Sequence, residues 1–181
     1  AWAVQHLAWI AYVDGRDREA DERLEASAAM FRDLGDRGGM TWSLGLQAFV
    51  KFHRGDLAAA RQLGDDVLRE SGERGDRWGY GMMQLLGSSV RLWSGHAVDA
   101  VRTARAALET FETIVDGFGA TQATIALARA LATSGQVDDG LQVLTEAAAR
   151  IEQQPDSGAR ADAGAAVAIG LANTQVQLGR P

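Results

Sequence analysis

Cysteine is absent from the sequence, which excludes disulfides and thiolate chemistry and leaves the redox compartment open. Lysine is nearly absent: Lys51 stands alone, so every other cationic contact falls to arginine or a protonated histidine. Basic charge is short overall, with 18 Lys and Arg against 24 Asp and Glu and a formal net charge of -6. That balance argues against direct nucleic-acid binding and against an anionic membrane surface, because both need a basic footprint. No apolar run is long enough to span a bilayer, and no signal peptide is recognisable. A soluble, cytoplasmic protein is expected. The chain opens on Ala1 rather than Met, already inside an apolar pattern, as a piece of a longer protein would. What remains is ample for a core: 46% of 181 residues are hydrophobic and 23% charged.

Catalytic sets are missing as well. There is no GxxxxGK phosphate loop and no GxSxG elbow. His6, His53 and His96 stand at no metal-ligand spacing, and no carboxylate pair flanks them. The glycines of "GDRWGYG" at 75–81 follow no strand, so they do not make a dinucleotide loop. Arg54-Gly55-Asp56 and Arg74-Gly75-Asp76 spell an adhesion tripeptide, yet each falls where a turn is already required. Acidic pairs such as Asp65-Asp66 and Asp138-Asp139 read as solvated. A non-enzyme without cofactor or metal is expected.

The strongest positive signal is a period. Gly15, Gly55, Gly95 and Gly135 lie forty residues apart, as do Asp36, Asp76, Asp116 and Asp156, and Gly39, Gly79 and Gly119. Small residues recur at the same interval: Ala8, Ala48, Ser88 and Ala128, then Ala20, Ala60, Ala100 and Gly140. A partial fifth unit, slipped by four residues, sets Leu171, Ala172 and Gly179 opposite Leu127, Ala128 and Gly135. Within a unit the apolar spacing is helical. Ala20, Leu24, Ala28, Phe31 and Leu34 mark one face, and the run Asp21, Glu22, Arg23 and Glu25 reads as solvated charge. The segments at about 2–13, 37–53, 77–93, 117–133 and 160–178 are apolar more nearly all round, which suits inner helices. In "LGDRGG" at 34–39, Gly35 can end one helix in the left-handed conformation and Asp36 can cap the next. Gly75 with Asp76 repeats that chemistry; Asp116 lacks the glycine, and Pro155 with Asp156 is a variant stop and cap.

With this phase, the sequence resembles the tetratricopeptide repeat family over its whole length. The resemblance rests on small residues at unit positions 8 and 20, the glycine at 15, and Leu7-Ala8 echoed by Leu127-Ala128. The forty-residue period matches a long-helix variety of the repeat, and "AAMFRDLGDRGG" at 28–39 is similar to phrases in the arrays of bacterial signalling ATPases and maltose-regulator-like transcription regulators. The resemblance implies an all-α, right-handed α-solenoid of about nine helices, with units at 1–36, 37–76, 77–116 and 117–156 and a terminal helix at about 160–178. In such regulators the array senses an inducer or a partner protein.

The resemblance also implies a concave inner surface made by unit positions 2, 5, 9, 12 and 13 of each first helix. Carried onto this chain it reads Trp2, Trp9, Tyr12 and Val13; Trp42, Phe49, Phe52 and His53; Met82, Leu85 and Trp93; then Gln122, Ile125, Arg129 and Thr133. Seven of the twelve aromatic residues fall on this line. Two readings stand side by side. The rings form an exposed groove for a protein or peptide segment, or for a small-molecule inducer. Alternatively they pack successive units together, since polar Gln47, Lys51, Gln84 and Arg91 occupy places where apolar side chains are usual. The family's clamp for acidic chaperone tails is not implied, because its basic and asparagine positions are not met. Both ends of the array lack polar capping units, so self-association through uncapped ends is expected.

Overall fold

The computed structural model describes residues 1–153 and 158–177. Among these residues there is no strand, and nine α-helices follow one another: α1 (Trp2–Val13), α2 (Asp17–Asp33), α3 (Arg37–His53), α4 (Leu57–Arg74), α5 (Arg77–Trp93), α6 (Ala97–Thr113), α7 (Gly117–Thr133), α8 (Val137–Glu152) and α9 (Gly158–Gln177). The first four inner segments fall where the apolar period places them, and α9 begins slightly earlier than its pattern suggests. Pro155, Asp156 and Gly179, read above as a stop, a cap and a repeat glycine, lie outside the described residues. The chain divides into two compact units, Ala1–Val90 and Arg91–Pro181.

The inner helices α3, α5 and α7 open on the same aspartate cap. Asp36 accepts a hydrogen bond from the Gly39 amide at 2.9 Å, Asp76 from Gly79 at 2.9 Å, and Asp116 from Gly119 at 3.1 Å. Each carboxylate satisfies an amide that the first helical turn leaves without a partner. Before the caps at 36 and 76, Gly35 and Gly75 take φ of +70° and +72°. The third such joint has no glycine, and Val115 is driven to φ 57° instead while standing 90% exposed. A β-branched residue in the left-handed region is strained, and this one has no buried contacts to compensate. Val115→Gly is therefore expected to stabilise the protein by about 1 kcal/mol, a rise in Tm on the order of 3 °C. A thermal melt in which the variant unfolds at or below the wild-type temperature would refute the strain.

In the first unit the core begins with Ala8, Ala11, Ala20, Leu24 and Val50. It continues with Ala48, Ala60, Val67, Met83, Leu86 and Val90. In the second unit Ala104, Leu127 and Leu131 form one cluster, and Ala128, Leu144, Ala147, Ile151 and Val167 another. The recurring small residues are the crossing points. Ala8, Ala20, Ala48, Ala60 and Ala100 are fully buried, and a Cβ on Gly140 would come within 2.9 Å of the Ala128 carbonyl oxygen. Helices can approach this closely only where side chains are small.

Two expectations fail. Leu34 is not part of the buried face of α2; it is 72% exposed, because α2 stops at Asp33 and the chain turns before its side chain can face inward. Asp21 is not solvated charge but a buried hub. The amide of Gln47 donates to its Oδ1 at 2.8 Å, while Lys51 and Arg54 reach its Oδ2 at 2.5 and 2.9 Å. Polar Gln47 and Lys51 stand at places usually apolar because they answer one acid on α2.

The opening helix α1 keeps a bare face. Leu7 and Ile10 are about half exposed, whereas their equivalents Gln47 and Val50 in α3 are buried. In α3 that face packs on α2; α1 has no helix on the corresponding side among the described residues. At the other end Ile169 on α9 is 63% exposed.

Candidate functional site

The first unit gathers most of the aromatic line on the inner helices α1, α3 and α5. Trp9 and Tyr12, one turn apart on α1, have ring centroids 5.5 Å apart. Tyr12 meets His53 at 5.3 Å, and His53 meets Phe52 at 5.5 Å, both edge to face. The Tyr12 hydroxyl lies 2.7 Å from Nδ1 of His53, and the Phe49 carbonyl oxygen lies 3.0 Å from the same nitrogen. The imidazole is thus held between the Tyr12 hydroxyl and the Phe49 carbonyl oxygen. Burial, and secondarily the negative charge of Asp17, raise the Tyr12 phenol above its ordinary pKa.

A second cluster lies further along α3. Trp42 stacks on Trp78 with centroids 4.8 Å apart and planes 24° from parallel. Between Trp42, Phe49, Trp78, Met82 and Met83 lies an apolar cavity of about 40 Å³. Leu46 and Phe49 wall this cavity and also a smaller one against Trp9 and Tyr12, so the two clusters are continuous. The cavities are too small for anything beyond a few waters. What the surface offers is relief: Trp9 is 49% and Trp42 38% exposed, and His53 is open to solvent. Phe49, Phe52 and Met82 instead lean half-buried on the core of α3, α4 and α5. Trp2 stands apart, half exposed and packed edge to face on Phe31 at 4.7 Å. The line thus mixes packing and exposure residue by residue. Trp78 is absent from it, because it sits at the first turn of α5 and reaches back to Trp42. No apolar periodicity marks that reach.

In the second unit Trp93 and Arg129 come together. A cleft of about 470 Å³ is lined by Leu92 and Trp93 at the end of α5, by Ile125, Ala128, Arg129 and Thr133 on α7, by Leu144 on α8, and by Gly170, Asn173 and Thr174 on α9. Trp93 is 70% exposed. Ile125, Arg129 and Thr133 belong to the line read from the sequence; Asn173 and Leu144 do not. Once the slip of four residues is counted, Asn173 stands at the unit position of Arg129, and Leu144 belongs to the outer helix α8.

Among the described residues no group of three or more His, Cys, Asp or Glu could hold a metal ion, and no helix is long and apolar enough to cross a membrane.

No family model matches the chain, and no curated protein matches it by sequence. Solved structures do. A kinesin light chain-like protein of Podosopora anserina, built of nearly identical TPR-like repeats, superposes with a TM-score of 0.74 at 18% identity, covering 98% of this chain and 86% of the other. A single-substitution variant of that protein gives 0.75 at 18% identity, covering 98% and 85%. The chain therefore has the all-α fold of TPR-like helical repeats.

Proposed function

We propose that the chain is a non-catalytic protein-interaction module of a larger regulatory protein, binding an apolar peptide segment along the aromatic strip of its first unit. The stacked pair of exposed Trp42 and partly buried Trp78, continuous through Phe49 with Trp9 and Tyr12, carries this reading. Rings held by packing on one side and open on the other give large contact area at small entropic cost. The phrase at 28–39 supports a place in a bacterial signalling or transcription-regulating protein. Selection of a displayed peptide library on the chain should enrich aromatic and aliphatic sequences, and Trp42→Ala should weaken the selected peptides at least about tenfold. A library that enriches nothing, or peptides indifferent to Trp42→Ala, would overturn the assignment.

A second reading is favoured by a separate observation. The cleft in the second unit has the volume of a small-molecule site, which the strip of the first unit lacks. An inducer bound there would make the module a sensor as well as a scaffold.

The bare face of α1 supports self-association through Leu7 and Ile10. In sedimentation at high concentration the chain should form dimers or larger species, and Leu7→Glu should return it to monomer. A wild-type chain that stays monomeric would exclude such contacts.

A further inference from the structure

The cleft of the second unit has a polarity that narrows its ligand. Among the described residues Arg129 is the only charged side chain lining it, and no acid of the lining faces the guanidinium. Neither Arg129 nor Asn173 has a side-chain partner among the described residues, and the Trp93 indole has none either. The two threonines of the lining are already engaged, Thr133 donating to the Arg129 carbonyl and Thr174 to that of Gly170, both at 2.9 Å. The cleft therefore presents five guanidinium N–H donors, an amide and an indole to an incoming group, and no fixed anion of the lining competes for them. Its remaining wall is Leu92, Ile125, Ala128 and Leu144.

We infer that this cleft binds a small organic carboxylate with an apolar or aromatic body, the carboxylate on Arg129 and Asn173 and the body between Trp93 and the aliphatic wall. A guanidinium is a planar fork that matches a carboxylate with two parallel hydrogen bonds. One cation balances one negative charge; a polyphosphate or dicarboxylate would leave charge uncompensated against an apolar wall. Trp93 offers a ring face wide enough for an aromatic body and keeps little else to pack against. This assignment rests on the small-molecule reading of the second unit and adds the chemistry of its ligand.

The test is calorimetric titration of the full chain with 3-phenylpropionate, indole-3-acetate and octanoate, each beside its primary amide. At least one acid should bind saturably, and its amide should bind at least about tenfold more weakly, as the loss of a charge-assisted bidentate contact requires. Arg129→Gln should bring the acid down to the affinity of its amide and leave the amide unchanged. Trp93→Ala should weaken both. Both side chains are exposed, so melting curves of the variants should match the wild type. Acid and amide binding equally would overturn the carboxylate assignment while leaving a small-molecule cleft in place. No binding by any of the six compounds at millimolar concentration would overturn both. Binding that survives Arg129→Gln and Trp93→Ala would place the ligand elsewhere.

Discussion

Gly119→Ala is expected to destabilise the protein by about 2 kcal/mol, against the usual direction of such a change. Inside a helix, glycine to alanine normally gains about 1 kcal/mol, because alanine loses less backbone freedom on folding. Here a Cβ on residue 119 would lie 2.2 Å from Cδ1 of Phe111 and 2.4 Å from its Cε1. The ring cannot withdraw: Phe111 is fully buried. Nor can the backbone, since the Gly119 amide is held by the Asp116 cap. Something in the α6–α7 joint must shift. The fall in Tm should be on the order of 5 °C for a chain of this size. A double-mutant cycle identifies the cause. In a Phe111→Leu background, where the ring is gone, the same alanine should be neutral or stabilising. A Gly119→Ala protein that melts above wild type would show that the ring and the helix do not meet as described. Gly39 against Phe31 repeats the geometry in the first unit, with a Cβ 2.4 Å from the ring, and should respond alike.

Removing the carboxylate at Asp21 is the second large effect. Asp21→Ala strips Gln47 of the acceptor for its buried amide and leaves Lys51 and Arg54 facing each other without their shared anion. Deleting one partner of a fully buried ion pair costs about 3–5 kcal/mol. Lys51 and Arg54 keep 24% and 41% of their side-chain surface in water, so part of that cost is recovered by solvation. A loss of about 2 kcal/mol in denaturant unfolding is expected. Lys51→Met should cost less than Asp21→Ala, because Arg54 and Gln47 still satisfy the acid. A change in stability under about 0.5 kcal/mol for Asp21→Ala would mean that the hub is effectively solvated.

These two sites also mark where reading the chain residue by residue succeeds and where it stops. The recurrence of Gly39, Gly79 and Gly119 is visible without coordinates, but its cause is not. Two of the three lie beneath a phenylalanine eight positions earlier, and the third lies beneath Ser71 and its own cap. Asp21 is one of several charges in a run, and burial together with two hydrogen-bonding oxygens distinguishes it from the exposed Glu22 and Glu25. Helix periodicity reports which way a side chain leaves its own helix. It does not report what a helix thirty residues away brings to meet it.

The candidate sites divide along the same line. Trp9, Tyr12, Trp42 and Phe49 follow from helical spacing and a family's habit of facing, and they do come together. Trp78 carries no such mark, since it reaches Trp42 from the first turn of the next helix rather than from its own stripe, whereas Asn173 shares the unit position of Arg129 once the slip is counted.

The amino-acid sequence by itself determined where the helices run and how the joints at 36, 76 and 116 are capped, because aspartate caps and a helical apolar period are local chemistry, satisfied within a few residues. Only the tertiary structure decided which polar residues are buried partners and which aromatic rings stay open. Burial and ion pairing depend on how closely two distant segments approach, and that distance is written in no single stretch of chain.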